Sequence, residues 1–128
     1  MNMWVSPRGR LIGNLAYAAA LLALGLAPAI PGLGTVASDG LVHATATGTQ
    51  VLLLFWLLTT AISPLVAVIS SGLAAFLFGG FVEVLQLFQP ARYFQLSDLA
   101  ANAVGSILVC ITIGLVLASR KYVPGPTP

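Results

Sequence analysis

The sequence predicts an all-α protein, a four-helix transmembrane bundle with both termini in the cytoplasm. Of its 128 residues, 59% are hydrophobic and only 6% are charged, whereas about a quarter of the residues in a soluble domain are charged. The apolar residues form four runs of about 20 residues, the helix length that crosses the hydrocarbon core. Basic residues lie before the first run and after the fourth, which places both ends in the cytoplasm by the positive-inside rule.

The first helix is predicted at about residues 11–30, after a cytoplasmic N-terminus of residues 1–10 that carries Arg8 and Arg10. A cleaved signal peptide is the alternative interpretation. The apolar run is long for a signal peptide and the small-residue cleavage site is distant, so we predict a retained helix. Asn14 inside this run is expected to form a hydrogen bond with a neighbouring helix.

The second helix is predicted at about residues 41–62 and the third at about residues 65–88. Ser38 or Asp39 is a suitable N-cap for the second helix, and Ser63 followed by Pro64 is a typical helix start. Gln50 lies deeper in the second helix and is also expected to bond to a neighbouring helix. Trp56 is predicted to lie near the cytoplasmic interface.

The fourth helix is predicted at about residues 99–118, after a loop that Pro90 opens. Ser97 is a suitable N-cap, and Asp98 falls in the first turn, where the helix dipole favours an anion. Residues 119–128 are predicted to be a disordered cytoplasmic tail. Residues 11–118 thus form a single membrane domain.

The scarce polar residues are predicted to meet at the extracytoplasmic end of this bundle. Asp39 and His43 are four residues apart, as are Asp98 and Asn102, and such pairs share one helical face. Glu83 is about 7 Å below the end of its helix, where a charge that faces lipid costs a few kcal/mol. Glu83 should therefore face the bundle interior, beside partners from the other segments.

Three motifs, SDGLVH, VEVLQLFQPAR and SDLAANAVG, together resemble the VanZ-like membrane proteins over about Asp39–Leu117. The residues that match the family pattern are Asp39, His43, Glu83, Gln86, Pro90, Arg92, Asp98, Asn102 and Gly105. The chain is short for the family, and its first segment carries no family signature. The family is named for a protein associated with low-level resistance to the glycopeptide teicoplanin, and the resemblance implies a related role.

The polar residues permit several kinds of site. Acid–base catalysis would use Asp39, His43, Glu83 and Asp98, with substrate bound by Gln86, Arg92 and Asn102. Arg92 is suited to bind a phosphate with two hydrogen bonds. The same ligand types would suit a divalent metal ion. The remaining interpretations are a pocket that binds a molecule without catalysing a reaction and an ionic network whose only role is to hold the helices together.

These observations predict a multi-pass protein of the inner (cytoplasmic) membrane whose partners are the lipid bilayer and a lipid-linked or anionic head-group ligand. The expected function is to act on or bind cell-envelope molecules and to contribute to glycopeptide tolerance. The alternative is a non-catalytic scaffold or accessory subunit. A net charge of +2 is too small for nucleic-acid binding. A channel is less favoured, because the polar groups are predicted at one end only.

Overall fold

The computed structural model describes residues 6–27, 36–89 and 93–121, with side chains described from residue 39 in the second range and up to residue 120 in the third. This part of the chain is all-helical, as predicted. The helices are α1 (Pro7–Gly25), α2 (Val36–Leu58), α3 (Pro64–Gln86) and α4 (Leu96–Lys121).

Serine–proline pairs start two of the helices. Ser6 Oγ accepts a hydrogen bond of 3.1 Å from Gly9 N, and Pro7 occupies the first turn of α1, where its missing N–H costs nothing. The helix therefore begins before the apolar run, four residues earlier than the hydropathy pattern indicates. Ser63 and Pro64 start α3 where predicted, although the Ser63 side chain makes no capping bond.

The other two helices begin earlier than their predicted caps. Because α2 starts at Val36, Ser38 and Asp39 lie inside its first turn and do not cap it. Ser97 likewise lies inside α4, which starts at Leu96, while Asp98 is in the first turn as predicted. The end of α4 at Lys121 adds three residues of the predicted tail to the helix.

Three of the four helices are long and apolar enough to cross a membrane. Within the described residues these spans are Asp39–Leu58, Pro64–Gln86 and Leu96–Arg120. The helix α1 does not qualify, since its first turn carries Arg8 and Arg10. The apolar part from Leu11 to Gly25 is only about 22 Å long at 1.5 Å per residue, which is shorter than the hydrocarbon core of about 30 Å.

Consecutive helices run in opposite directions, so α1 and α3 end where α2 and α4 begin. We call this the upper end of the bundle, and the opposite end the lower end. At the lower end Arg10 lies 4.7 Å from the ring centre of Trp56 and donates a hydrogen bond to the Trp56 carbonyl. The helix α2 packs against each of the other three helices.

The interior is small and polar, whereas the surface is apolar. The core cluster consists of Val51, Val68, Ala75 and Ile113. Buried polar side chains surround it, and many leucine, isoleucine and phenylalanine side chains on all four helices are exposed. In water such a surface would be a large aggregation liability, but in lipid it is the natural exterior. The predicted membrane class is therefore supported by the packing as well as by composition.

A close helix crossing sets the spacing of α2 and α4. A Cβ atom at Gly105 would collide with the backbone carbonyl of Ala44. Only glycine allows the two backbones to come this near, as in other membrane helix pairs with small residues at the interface. Ala44 directly follows His43 in α2, and Gly105 lies about two turns after Asp98 in α4, so this close crossing holds together the two helices that carry His43 and Asp98.

Candidate functional site

Three ionisable side chains from three helices meet at the upper end of the bundle. His43 comes from the second turn of α2, Glu83 from the last turn of α3 and Asp98 from the first turn of α4. We call these three residues the ionic cluster. Their meeting is the convergence that the sequence predicts.

The imidazole of His43 lies between the two carboxylates. His43 Nδ1 is 3.7 Å from Glu83 Oε1, and His43 Nε2 is 3.5 Å from Asp98 Oδ2. Glu83 is fully buried and Asp98 is 4% exposed, while 26% of the His43 side chain is exposed. The imidazole is thus the most accessible member of the cluster, with one ring nitrogen directed to each acid.

This arrangement is suited to proton transfer. A carboxylate beside one ring nitrogen orients the imidazole, and the other nitrogen can then exchange a proton with a bound group. Glu83 is the better orienting residue because it is fully buried. Asp98 lines the cavity described below together with His43, so these two side chains are the ones that a bound molecule would meet.

The same three residues could hold a divalent metal ion. One ligand atom from each lies within 4.8 Å of the others, and one imidazole with two carboxylates is a donor set that zinc accepts. Only one ring nitrogen can bind a given ion, and the other would face a carboxylate, as is common in metal sites. The predicted metal site stays a prediction.

Asp39 does not belong to the ionic cluster. It is exposed, and within the described residues the acids that lie within 4.0 Å of a His43 nitrogen are Glu83 and Asp98. The spacing of four residues predicts that Asp39 pairs with His43, but the imidazole faces α3 and α4 instead. Asp39 still lines the mouth of the cavity.

Asn102 lies one turn below Asp98 and is held by two neighbours. Thr47 Oγ1 donates a hydrogen bond of 2.7 Å to Asn102 Oδ1. On the other side, a Cβ atom at Gly79 would lie 2.7 Å from Asn102 Nδ2, so glycine makes room for the amide. Asn102 is 2% exposed and lines the cavity, which is compatible with its predicted binding role.

Gln86 has a structural contact that the sequence did not indicate. Its Nε2 donates a hydrogen bond of 2.9 Å to the carbonyl of Gly25, and Gln89 Nε2 donates one of 2.6 Å to the carbonyl of Leu26. The last carbonyls of a helix have no partner within the helix. These two glutamines therefore supply partners to the end of α1 and attach it to α3, while Gln86 also lines the cavity.

Arg92 and Pro90 lie outside the described residues, so the predicted phosphate-binding role of Arg92 has no structural counterpart here.

A cavity of about 400 Å³ extends from the ionic cluster into the bundle. Apart from Gln86, its walls are apolar on the α1 and α3 sides, where Leu24, Phe78 and Val82 line it, and most of its polar lining comes from α2 and α4. Its volume falls within the range of roughly 300–1,000 Å³ that is typical of small-molecule sites. The cavity can therefore accept both an apolar chain and a polar head group.

Two residues that line this cavity were not predicted as site residues from the sequence. Thr47 and Gln50 line the cavity and are both 4% exposed. The signal was their spacing from His43, by four and seven residues, which places all three on one face of α2. Gln50 Nε2 donates to Asn14 Oδ1 at 3.4 Å, and Asn14 Nδ2 donates to the Leu53 carbonyl at 2.8 Å. The predicted interhelical bonds of Asn14 and Gln50 are confirmed.

Comparisons with protein-family models, with curated proteins and with solved structures each found no match. The resemblance to the VanZ-like proteins therefore depends on the sequence motifs alone.

Proposed function

We propose that this protein is a VanZ-like membrane protein that binds or acts on the polar part of a cell-envelope molecule and so contributes to glycopeptide tolerance. The molecule enters the cavity from the upper end of the bundle. His43 and Asp98 contact its head group, and Glu83 orients the imidazole.

The observation that supports this proposal is the position of the ionic cluster at the mouth of a cavity. Ionisable residues inside membrane proteins are costly, and they commonly mark a functional site. A network with a purely structural role would not need an adjoining space of about 400 Å³. The mixed lining, mainly apolar on α1 and α3 and mainly polar on α2 and α4, matches a lipid-linked molecule better than a free ion.

The proposed location is the inner (cytoplasmic) membrane, with both termini in the cytoplasm and the ionic cluster on the extracytoplasmic side. Arg8, Arg10 and Arg120 belong to the lower end of the bundle, and the positive-inside rule assigns such an end to the cytoplasm. Arg10 beside Trp56 forms the cation and aromatic pair that is typical of an interface. The upper end then faces the compartment where envelope molecules are assembled.

A scaffold is the second candidate function, and one observation favours it. Polar side chains join the helices at several levels, with Gln86 and Gln89 bound to α1, Thr47 bound to Asn102, and Ser106 bound to the Gly72 carbonyl at 2.8 Å. In a scaffold, the ionic cluster would be one more connection between the helices.

The experiment that separates the two functions uses Glu83→Gln and Asp98→Asn, which keep side-chain size and remove the charge. Each variant is expressed in cells that lack the native protein, and membrane abundance and teicoplanin tolerance are measured together. Thr49→Val is the control, because Thr49 bonds to the Thr45 carbonyl of its own helix and does not line the cavity.

We expect both charge variants to reach normal abundance and to lose the tolerance that the wild type and Thr49→Val confer. Parallel loss of abundance and tolerance would instead support the scaffold. Unchanged tolerance in both charge variants would show that the ionic cluster is not the functional site, and a wild type without any effect on tolerance would exclude the glycopeptide role.

A further inference from the structure

Two buried amide groups lie deep in the cavity, below the ionic cluster. Gln50 is 4% exposed and Asn102 is 2% exposed, and both line the cavity. We call this pair the cavity floor. Gln50 is seven residues from His43 along α2, about 10 Å deeper at 1.5 Å per residue. Gln50 therefore lies well below the ionic cluster.

Each floor residue uses one end of its amide to bond to the protein and leaves the other end without a partner. Asn102 Oδ1 accepts from Thr47, and Gln50 Nε2 donates to Asn14. Among the described residues, neither Asn102 Nδ2 nor Gln50 Oε1 has a hydrogen-bond partner, although both atoms are buried. Buried polar atoms without partners are uncommon in folded proteins and call for an explanation.

Neighbouring contacts determine which end of Gln50 is free. Asn14 Nδ2 donates to the carbonyls of Arg10 and Leu53, which can only accept, so Asn14 Oδ1 is the atom that faces Gln50. Gln50 must then present its NH₂ group to Asn14, and its carbonyl oxygen is left as an acceptor. The floor thus offers one acceptor from α2 and one donor from α4.

This pair of groups selects a particular ligand chemistry. A phosphate or carboxylate can only accept hydrogen bonds, and an ammonium group can only donate them. A hydroxyl group does both, so it can pair with either free atom, as a donor to Gln50 Oε1 or as an acceptor from Asn102 Nδ2. Sites built to bond a hydroxyl discriminate strongly against analogues without it, because their own buried polar groups are then left unpaired.

We propose that the cavity floor is a subsite for a neutral hydroxyl group of an amphiphile, such as a glycerol or sugar hydroxyl, whose apolar part lies against Leu24, Phe78 and Val82. This inference rests on the proposed function, since it names the chemistry of the molecule that the cavity takes. The ionic cluster contacts the rest of the head group, nearer the membrane surface.

The test compares two probes that share an acyl chain and differ in hydroxyl groups, 1-monooleoylglycerol and methyl oleate. The full-length protein is purified in lauryldimethylamine oxide, a detergent without hydroxyl groups. Binding is measured by the shift in thermal unfolding over a concentration series of each probe. We expect the wild type to bind 1-monooleoylglycerol about tenfold more tightly than methyl oleate, which is the effect of about one net hydrogen bond.

Two variants test whether the cavity floor causes the preference for 1-monooleoylglycerol over methyl oleate. Gln50→Met removes the free acceptor at nearly constant volume, and Asn102→Asp replaces the free donor with an acceptor while keeping the oxygen that faces Thr47. Each should reduce the tenfold preference to less than about twofold. The control is Gln89→Met, the same change at an amide that bonds to Leu26 and does not line the cavity.

Several results would overturn the proposal. Equal affinity of the wild type for the two probes would do so without any variant, and so would a preference that survives in both floor variants. Equal loss in Gln50→Met and Gln89→Met would indicate a general loss of structure. Stabilisation by neither probe would indicate that only water occupies the floor. None of these results depends on teicoplanin tolerance, which tests the proposed function separately.

Discussion

The imidazole of His43 bridges Glu83 and Asp98, with Nδ1 3.7 Å from Glu83 Oε1 and Nε2 3.5 Å from Asp98 Oδ2. Both distances exceed the range of about 2.7–3.2 Å for a direct hydrogen bond. The three side chains are close enough to act as a unit.

The first prediction concerns this unit. Since His43 and Asp98 contact each other, His43→Gln and Asp98→Asn should be strongly non-additive, and the double variant should be about as defective as either single variant. Asp39→Asn combined with His43→Gln should be closer to additive, because Asp39 lies outside the ionic cluster. Both double-mutant cycles are measured as teicoplanin tolerance divided by the amount of the protein in the membrane. Additivity for His43 and Asp98 would contradict the prediction.

The second prediction concerns the crossing of α2 and α4. In Gly105→Ala the new methyl group meets the Ala44 backbone carbonyl, and overpacking of this kind costs about 1–3 kcal/mol. Gly114→Ala on the same helix is the control, since a Cβ atom there meets nothing within 4 Å; the change should be neutral or stabilise by up to about 1 kcal/mol. Denaturant unfolding of the purified protein compares the two. Equal stability would contradict the observed crossing.

A third prediction tests the space that Gly79 leaves for Asn102. Gly79→Ala should lower the free energy of unfolding, because the methyl group displaces the Asn102 amide. Gly80→Ala should have a smaller effect, since its nearest contact, Leu99 Cδ1 at 3.5 Å, is ordinary packing. Adding Asn102→Ala should relieve part of the Gly79→Ala defect, a non-additivity expected for residues in contact. If Gly79→Ala lowers the free energy of unfolding equally in the wild type and in the Asn102→Ala background, the explanation is wrong.

A fourth prediction concerns the attachment of α1. Gln86→Leu and Gln89→Leu each remove one bond to the end of α1, and such bonds contribute about 0.6 kcal/mol on average in membrane proteins. The double variant should increase amide hydrogen exchange in α1 while α2, α3 and α4 stay protected. Uniform exchange across all four helices would show that these bonds stabilise the whole bundle and not α1 alone.

The last prediction tests the orientation in the membrane. Tyr93 is 80% exposed and precedes α4 at the upper end, so Tyr93→Cys should react with a membrane-impermeant maleimide in intact cells. The background variant Cys110→Ala removes the native thiol. A cysteine at Ser119, near the lower end, should react only after permeabilisation. The reverse pattern would place the ionic cluster on the cytoplasmic side.

Much of this arrangement follows from the sequence alone. The lack of charge determines the membrane class, and the Ser63–Pro64 pair starts α3 where expected. The position of α1 was predicted less well, because the helix spans Pro7–Gly25 and not about residues 11–30; its Ser6 cap lies ahead of the apolar run. The caps at Ser38, Asp39 and Ser97 were also wrong, since a helix in lipid extends past its apolar run wherever backbone bonding continues.

The meeting of His43, Glu83 and Asp98 was predictable because their helical positions share one end of the bundle. Whether His43 faced Asp39 or the other two acids was not, because that depends on how α2 is rotated about its axis. The close contact of Gly105 with Ala44 sets this rotation, and it arises only when the helices pack. The same packing decides that Gln86 binds α1 and that Thr47 and Gln50 line the cavity. Local sequence patterns determine where the helices form, whereas contacts between residues distant in sequence determine which helix faces pack against one another.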